Sequence, residues 1–227
     1  MNKSVLVVIL FFSTVNIFSS CHKYKDENVD VTFEVPLNIT PVKDTIQVGD
    51  TLTLEANFPD SIKEVTTGKY FKLANFDFKT RVWFEKLVSD TLYISQQPGV
   101  ISSFNFYPQS GNINNIGTTF ASFVIAYADA KYIARIKIIP KQAGIFNIGF
   151  YSLLMEKNII LDSVDLGPSD AGGKKIAYLK NIWYTINNGN TNVDLLKQHS
   201  KLVSTSTNPN QLNVQQEQKG TYTFVVK

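Results

Sequence analysis

A chain of 227 residues, 44% of them hydrophobic and 18% charged, has the length and apolar content to bury a real core. Its formal net charge is only +3 and no run of basic residues marks a nucleic-acid surface, so nucleic acid is excluded as the expected partner. One cysteine rules out an internal disulfide and a cysteine-based zinc site, and two histidines leave almost no material for a histidine base or a multi-histidine metal centre.

The chain opens on Lys3, an apolar run from Val5 to Phe12, and the small residues Ser19 and Ser20 before Cys21. Ser13, Thr14 and Asn16 interrupt the apolar run, which falls short of the about 20 residues a spanning helix needs. Phe18-Ser19-Ser20-Cys21 resembles a bacterial lipobox, with Phe18 where that pattern prefers leucine. The resemblance implies a lipoprotein signal peptide over 1–20 and acylation of Cys21, which becomes the new N-terminus. Several acyl chains, at about 0.8 kcal/mol per buried CH₂, make a stable anchor where one makes only marginal binding. Residues 21–28 are polar and charged, as a tether between a bilayer and a folded body would be. Within them Lys25-Asp26-Glu27 resembles the Lys-plus-acid export signal of Bacteroidota-type surface lipoproteins. The expected location is therefore the cell envelope, as an outer-membrane lipoprotein; the Lys-plus-acid resemblance implies surface exposure, and whether it faces the periplasm or the surface stays open at this level.

From residue 29 onward the periodicity is two, the pattern of half-buried strands. Val29, Val31, Phe33, Val35 and Leu37 alternate with Asp30, Thr32, Glu34 and Pro36. Ile46 and Val48 lead to a Gly49-Asp50 turn, after which Leu52, Leu54, Ala56 and Phe58 share a face. Phe76, Phe78, Val82 and Phe84 repeat the pattern, 92–95 runs to a Gln97-Pro98-Gly99 turn, and 101–107 follows. Segments 118–128 and 132–139 flank Asp129-Ala130 as a long hairpin, its second arm alternating Tyr132, Ala134, Ile136 and Ile138 with polar partners, and Pro140 closes it. Val48 to Leu54 and Ala143 to Phe150 resemble turn-to-strand steps of bacterial Ig-like domains. Without the Cys and Trp core of true immunoglobulins, the resemblance implies a sandwich and no named family.

Strands are expected over 159–161 and 176–186, separated by the turn-rich 167–173, and Asn188-Gly189 is a strong turn signal. One helix interrupts, about 192–203: Thr191 and Asp194 have capping-box spacing, and Leu195, Leu196, His199, Leu202 and Val203 fall on one face, fit to pack on a sandwich edge. Residues 204–219 are almost devoid of large apolar side chains and read as a long loop, before Tyr222, Phe224 and Val226 form a last strand. The expected fold is all-β, an antiparallel, Ig-like β-sandwich over 29–227. Whether it is one sandwich or two with a boundary near 108–117 stays open at this level.

Chemistry is thin. No nucleophile elbow, metalloprotease or phosphate-loop motif is present, so no catalytic site and no cofactor are expected. Two acids suffice for a glycoside hydrolase, and Asp77, Glu85, Asp162 and Asp165 are candidates, but their spacing does not pair them. Asp162, Asp165 and Asp170 lack the alternation and closing Glu of a strong calcium motif, so no metal site is expected. His199 reads as a half-buried packing residue on the helix stripe.

Two features point instead to binding. Asp-(Ser/Thr)-aliphatic occurs five times, at Thr45, Thr51, Ser61, Thr91 and Ser163, and resembles the O-glycosylation acceptor motif of Bacteroidota-type exported proteins. Strand entrances generate the same triplet, because Asp favours the turn and Thr with an aliphatic residue favours the strand. Trp83 lies opposite Val82 and Phe84 on its strand, beside Arg81 and Glu85, and an exposed indole among polar groups would be a sugar-stacking platform, a reading open to Trp183 as well; the other and favoured reading covers both indoles with another sheet or the helix. The expectation is a lipid-anchored envelope protein that binds or assembles without catalysis, its partner a polysaccharide or an envelope protein. The alternatives are a structural or adhesive subunit offering a strand edge, and a carboxylate glycoside hydrolase, which would need two acids converging in one pocket.

Overall fold

A computed structural model describes residues 24–114, 116–156, 159–203 and 214–227. The expected signal peptide, Cys21, His22 and residues 204–213 of the expected loop lie outside the described residues. In chain order the strands are β1 (Lys25–Thr40), β2 (Thr45–Ile46), β3 (Leu52–Pro59), β4 (Ser61–Glu64), β5 (Tyr70–Lys72), β6 (Thr80–Lys86), β7 (Phe104–Ser110) and β8 (Asn112–Asn114). Then come β9 (Phe120–Val124), β10 (Ala126–Ala128), β11 (Lys131–Pro140), β12 (Gly144–Ser152), β13 (Ile159–Ile160), β14 (Gly172–Ile186), the helix α1 (Val193–His199) and β15 (Thr221–Val226). They form a β-sandwich. One sheet runs β10-β11-β3-β1-β14-β13, with β4 and β5 on the flank of β1 and β7 beside β11; the other runs β2-β15-β12-β6-β9-β8.

The period-two pattern places the core as expected. Val31, Phe33, Val35, Leu37 and Ile39 of β1, Leu52, Leu54, Ala56 and Phe58 of β3, and Tyr132, Ala134, Ile136 and Ile138 of β11 are buried against Phe84, Phe146, Ile148, Phe150, Tyr222 and Phe224 of the facing sheet. One contiguous core takes side chains from both sides of 108–117. No helix of the described residues is long and apolar enough to cross a membrane.

Four local expectations are corrected. The sheets are mixed and not antiparallel throughout, because β1 runs parallel to β14 from Lys25↔Gly172 to Leu37↔Ile186 and β15 runs parallel to β2. Lys25 to Asn28, read as tether, already belong to β1. The hairpin turn is real, with Asp129 and Ala130 both at positive φ as a two-residue loop between right-twisted strands prefers. Its first arm, however, is split: 120–124 pairs with β6 and β8 in one sheet, while 126–128 pairs with β11 in the other. Residues 92–95 form no strand, since 94–96 is a short 3₁₀ turn that buries Ile94.

The helix is shorter than expected; its start is bonded to the Thr223 backbone of β15, and it reaches from there over the sheet's outer face. Leu196 joins Leu87 and Ile94, with Ile145 and Leu202, in a small second apolar cluster. Ile145 is one residue out of phase with the core residues Phe146, Ile148 and Phe150, so this cluster sits on the outer face of the second sheet. The capping box does not form: the N-cap is Asn192, whose side chain donates to the Thr223 carbonyl (2.9 Å), and the Thr191 hydroxyl donates to the Gln218 carbonyl (2.6 Å). Gln215–Lys219, placed in the loop by composition, is a π-helical turn with Gln215 and Glu217 buried. The outer face of the second sheet is thus roofed by α1 and segments before and after it.

Candidate functional site

Under that roof the strand register assembles two rows of side chains. Phe120 (β9) pairs with Trp83 (β6), Trp83 with Gly149 (β12), and Gly149 with Thr221 (β15). In the next outward-facing row Glu85 pairs with Asn147 and Asn147 with Thr223. Gly149 leaves the space that the Trp83 indole occupies, for a β-carbon there would stand 2.1 Å from Trp83 Cζ2. Tyr151, two residues along β12, brings its ring to 5.7 Å from Trp83 and 6.0 Å from Phe120, and Arg81 donates to its hydroxyl at 3.3 Å.

These residues floor a pocket of about 410 Å³. Its walls are Glu85 and Thr221 from the sheet, Thr119 from just before β9, Ile94 and Ser95 from the 3₁₀ turn with Gln97 just after it, and Val203, Gln216 and Glu217 from the roof. The roof is held by directed bonds: Glu217 Oε1 accepts from the Val203 N–H at 2.6 Å, and the Glu217 carbonyl accepts from the Thr221 hydroxyl at 2.8 Å. Gln97 is fixed by donating to the Ser89 carbonyl (2.7 Å) while accepting from the Val88 N–H (2.9 Å).

Glu85 is the electrostatic anomaly of the site. Burial pushes its carboxyl up to about 8, against a smaller opposing pull from the Asn147 amide and the Trp83 indole. At neutral pH it is a mostly neutral acid, able to donate a hydrogen bond. The Thr223 hydroxyl donates to Asn147 Oδ1 (3.0 Å), which fixes the amide so that Asn147 Nδ2 faces Glu85 Oε2 (3.4 Å). The indole N–H of Trp83, the source of part of that pull, is buried and stands outside strict hydrogen-bond geometry to any acceptor.

The candidate residues separate. Trp83 is on the outer face, as its alternation implied, but half-buried in the pocket and not on an open surface. Trp183 lines a cleft of about 10 Å³ with Gln215, Gln216 and Gly220, room for about one water and none for a sugar ring. Of the four candidate acids only Glu85 reaches this pocket. Asp77 sits in a surface turn bonded to Lys79, and although burial raises its carboxyl, the Lys79 N–H and ammonium more than offset this and hold it low. Asp162, Asp165 and Asp170 are exposed, with Asp165 accepting from the Gly167 N–H (2.8 Å). Among the described residues no three His, Cys, Asp or Glu side chains gather as metal ligands. His199 is half-buried on α1.

The five triplets all stand at strand entrances or turns. Thr51, Ser61, Thr91 and Ser163 are exposed and Thr45 is half-buried, while Ile46, Leu52, Ile62 and Val164 point inward. Sequence reasoning missed Phe120, Gly149, Tyr151 and Glu217. The first three become neighbours only through register, and Glu217 lay in a Gln-rich stretch without period.

No protein-family model matches the chain, and no curated protein matches it. Among solved structures, the chain is similar to Cep-1 of C. elegans, in a structure of its DNA-binding domain as the ortholog of human p53, at 11% identity. That match covers 66% of this chain and 89% of that one, with a TM-score of 0.28. It is also similar to the type II cohesin dyad from the adaptor ScaA scaffoldin of Acetivibrio cellulolyticus, at 16% identity over 67% of this chain and 46% of that one, with a TM-score of 0.25.

Proposed function

We propose that the chain is a lipid-anchored cell-envelope binding module whose pocket takes a carbohydrate, without catalysis. The observation that carries this is the pocket lining, where the aromatic side chains of Trp83, Tyr151 and Phe120 stand with the polar side chains of Glu85, Gln97, Ser95, Gln216, Glu217 and Thr221. A pyranose has one apolar face and a rim of hydroxyls, and such a mixture complements both. The anchor is the part that rests on Cys21 and its resemblance to a lipobox.

The test is a titration of the purified protein with a panel of oligosaccharides, followed by tryptophan fluorescence, in the parent and in Trp83→Phe and Trp183→Phe. Saturable binding lost in Trp83→Phe and kept in Trp183→Phe is the expected result. Silence across the panel would move the assignment to protein partnership.

A second reading has one observation in its favour: Glu85 and Glu217 line the same pocket, and a carboxylate glycoside hydrolase needs two acids in one pocket. Release of new reducing ends from a bound oligosaccharide, abolished in Glu85→Gln, would establish it.

A further inference from the structure

The pocket spends its strongest polar groups on itself. Glu85 is 5% exposed and faces Asn147 Nδ2 at 3.4 Å. Glu217 is buried as well, with Oε1 accepting from the Val203 N–H at 2.6 Å and a further partner beyond that. Gln97, also buried, donates to the Ser89 and Leu92 carbonyls and accepts from the Val88 N–H. These groups hold wall and roof in place. The other polar side chains of the lining include Ser95, Thr119 and Gln216, two hydroxyls and an amide, none of them buried and none charged.

Neither sign of charge finds a counterpart there. Among the described lining residues no Lys, Arg or His is present. Arg81, beside the floor, donates to the Tyr151 hydroxyl at 3.3 Å, and Lys201 stands over the Tyr93 ring at 4.7 Å. Residues 204–213, outside the described ones, contain no ionisable side chain. A sugar acid entering the pocket would give up the hydration of its carboxylate without gaining a cation, and an amino sugar would give up that of its ammonium without reaching an acid. An uncharged pyranose gives up only the hydration of its hydroxyls, which hydroxyl and amide side chains return, and its apolar face meets Trp83, Tyr151 and Phe120.

We infer that the pocket selects uncharged sugars and turns away both amino sugars and sugar acids, because its two acids are withdrawn into its own walls and no cation lines it. This rests on the carbohydrate reading above and narrows it to one chemical class. The selectivity comes from what a charged ligand loses and is not given back, so the binding of the favoured ligand has no ionic component for salt to screen.

The experiment titrates the full chain by calorimetry, at low and at high salt, with neutral hexose oligomers, hexosamine oligomers and hexuronate oligomers of equal length, in gluco, galacto and manno configuration. The expected result is saturable binding of a neutral oligomer that salt leaves unchanged, with its amine and uronate counterparts weaker by about tenfold or more. Gln216→Lys, which puts a cation on the wall, should gain binding of the uronate oligomer, and Gln216→Glu binding of the amine oligomer. Should those variants fail to fold, the comparison in the parent protein decides alone. Equal or tighter binding of a charged oligomer by the parent, or folded Gln216 variants that gain nothing, overturns the exclusion of charge and leaves the carbohydrate pocket standing. No binding of any oligomer by a folded protein overturns both.

Discussion

The indole of Trp83 lies across the Cα of Gly149 on the neighbouring strand, so closely that a methyl group on Gly149 would come within 2.1 Å of Cζ2. Gly149 adopts no positive φ, so alanine is tolerated there by the backbone and excluded only by the ring. Gly149→Ala should retain the sandwich at a cost of about 1–3 kcal/mol from overpacking, while displacing the indole. In a Trp183→Phe background, where Trp83 is the single reporter, its emission maximum should shift and ligand binding should be lost. Unchanged emission would show that the ring rests elsewhere.

Glu85 makes a pH-dependent debit. Its carboxyl titrates near 8 in the folded protein and near the ordinary 4.5 when unfolded, so the folded state holds the extra proton between those values. Stability then falls as pH rises from 4.5 toward 8, at up to about 1.4 kcal/mol per unit from this group. Glu85→Gln stays neutral and keeps an acceptor for Asn147 Nδ2. Denaturant midpoints should show the variant more stable than the parent at pH 8.5, by a few kcal/mol, and nearly equal to it at pH 5.

Glu64 behaves oppositely. Burial raises its carboxyl, but donation from the Thr66 and Thr67 N–H groups, the Thr67 hydroxyl and the Thr32 N–H more than offsets that, and the net direction is down. These bonds, at 3.0, 2.6, 2.8 and 3.3 Å, close the turn between β4 and β5. A lowered acid contributes stability above its unfolded value of 4.5 and loses it as pH falls through the folded one. Glu64→Gln should cost about 1–3 kcal/mol at pH 7, because an amide nitrogen cannot accept, and the gap to the parent should close in acid.

The strands were legible wherever one face met the core and the other met water. In β11 the alternation of Tyr132, Ala134, Ile136 and Ile138 with Arg135 and Lys137 places every side chain correctly. β15 is different, for Thr221 and Thr223 are as buried as Tyr222 and Phe224. A threonine under a roof and a threonine in water look the same in a hydropathy pattern, so the covered outer face was invisible. Pairing was also illegible: the Phe120, Trp83, Gly149 and Thr221 row draws on four segments, and only register joins them. Trp83 could be assigned its side from Val82 and Phe84, but the acid across the pocket, Glu217, could not be found from spacing.

The proposed anchor at Cys21 has a direct test: if that residue is acylated, Cys21→Ser moves the protein from the membrane to the soluble fraction of cells and abolishes incorporation of labelled palmitate. A variant that remains membrane-bound and labelled would refute acylation at that residue.

Asp30 and Lys180, 150 residues apart, are joined by a 2.8 Å ion pair across the parallel β1–β14 ladder, and β15 is the strand that links β2 to β12. The first sheet is complete only once β14, ending at Ile186, is present, and the second only once β15 is. Contacts this distant in sequence place folding on the slow side, milliseconds to seconds. A chain built this way keeps most of β1 without its parallel partner until β14 has been made.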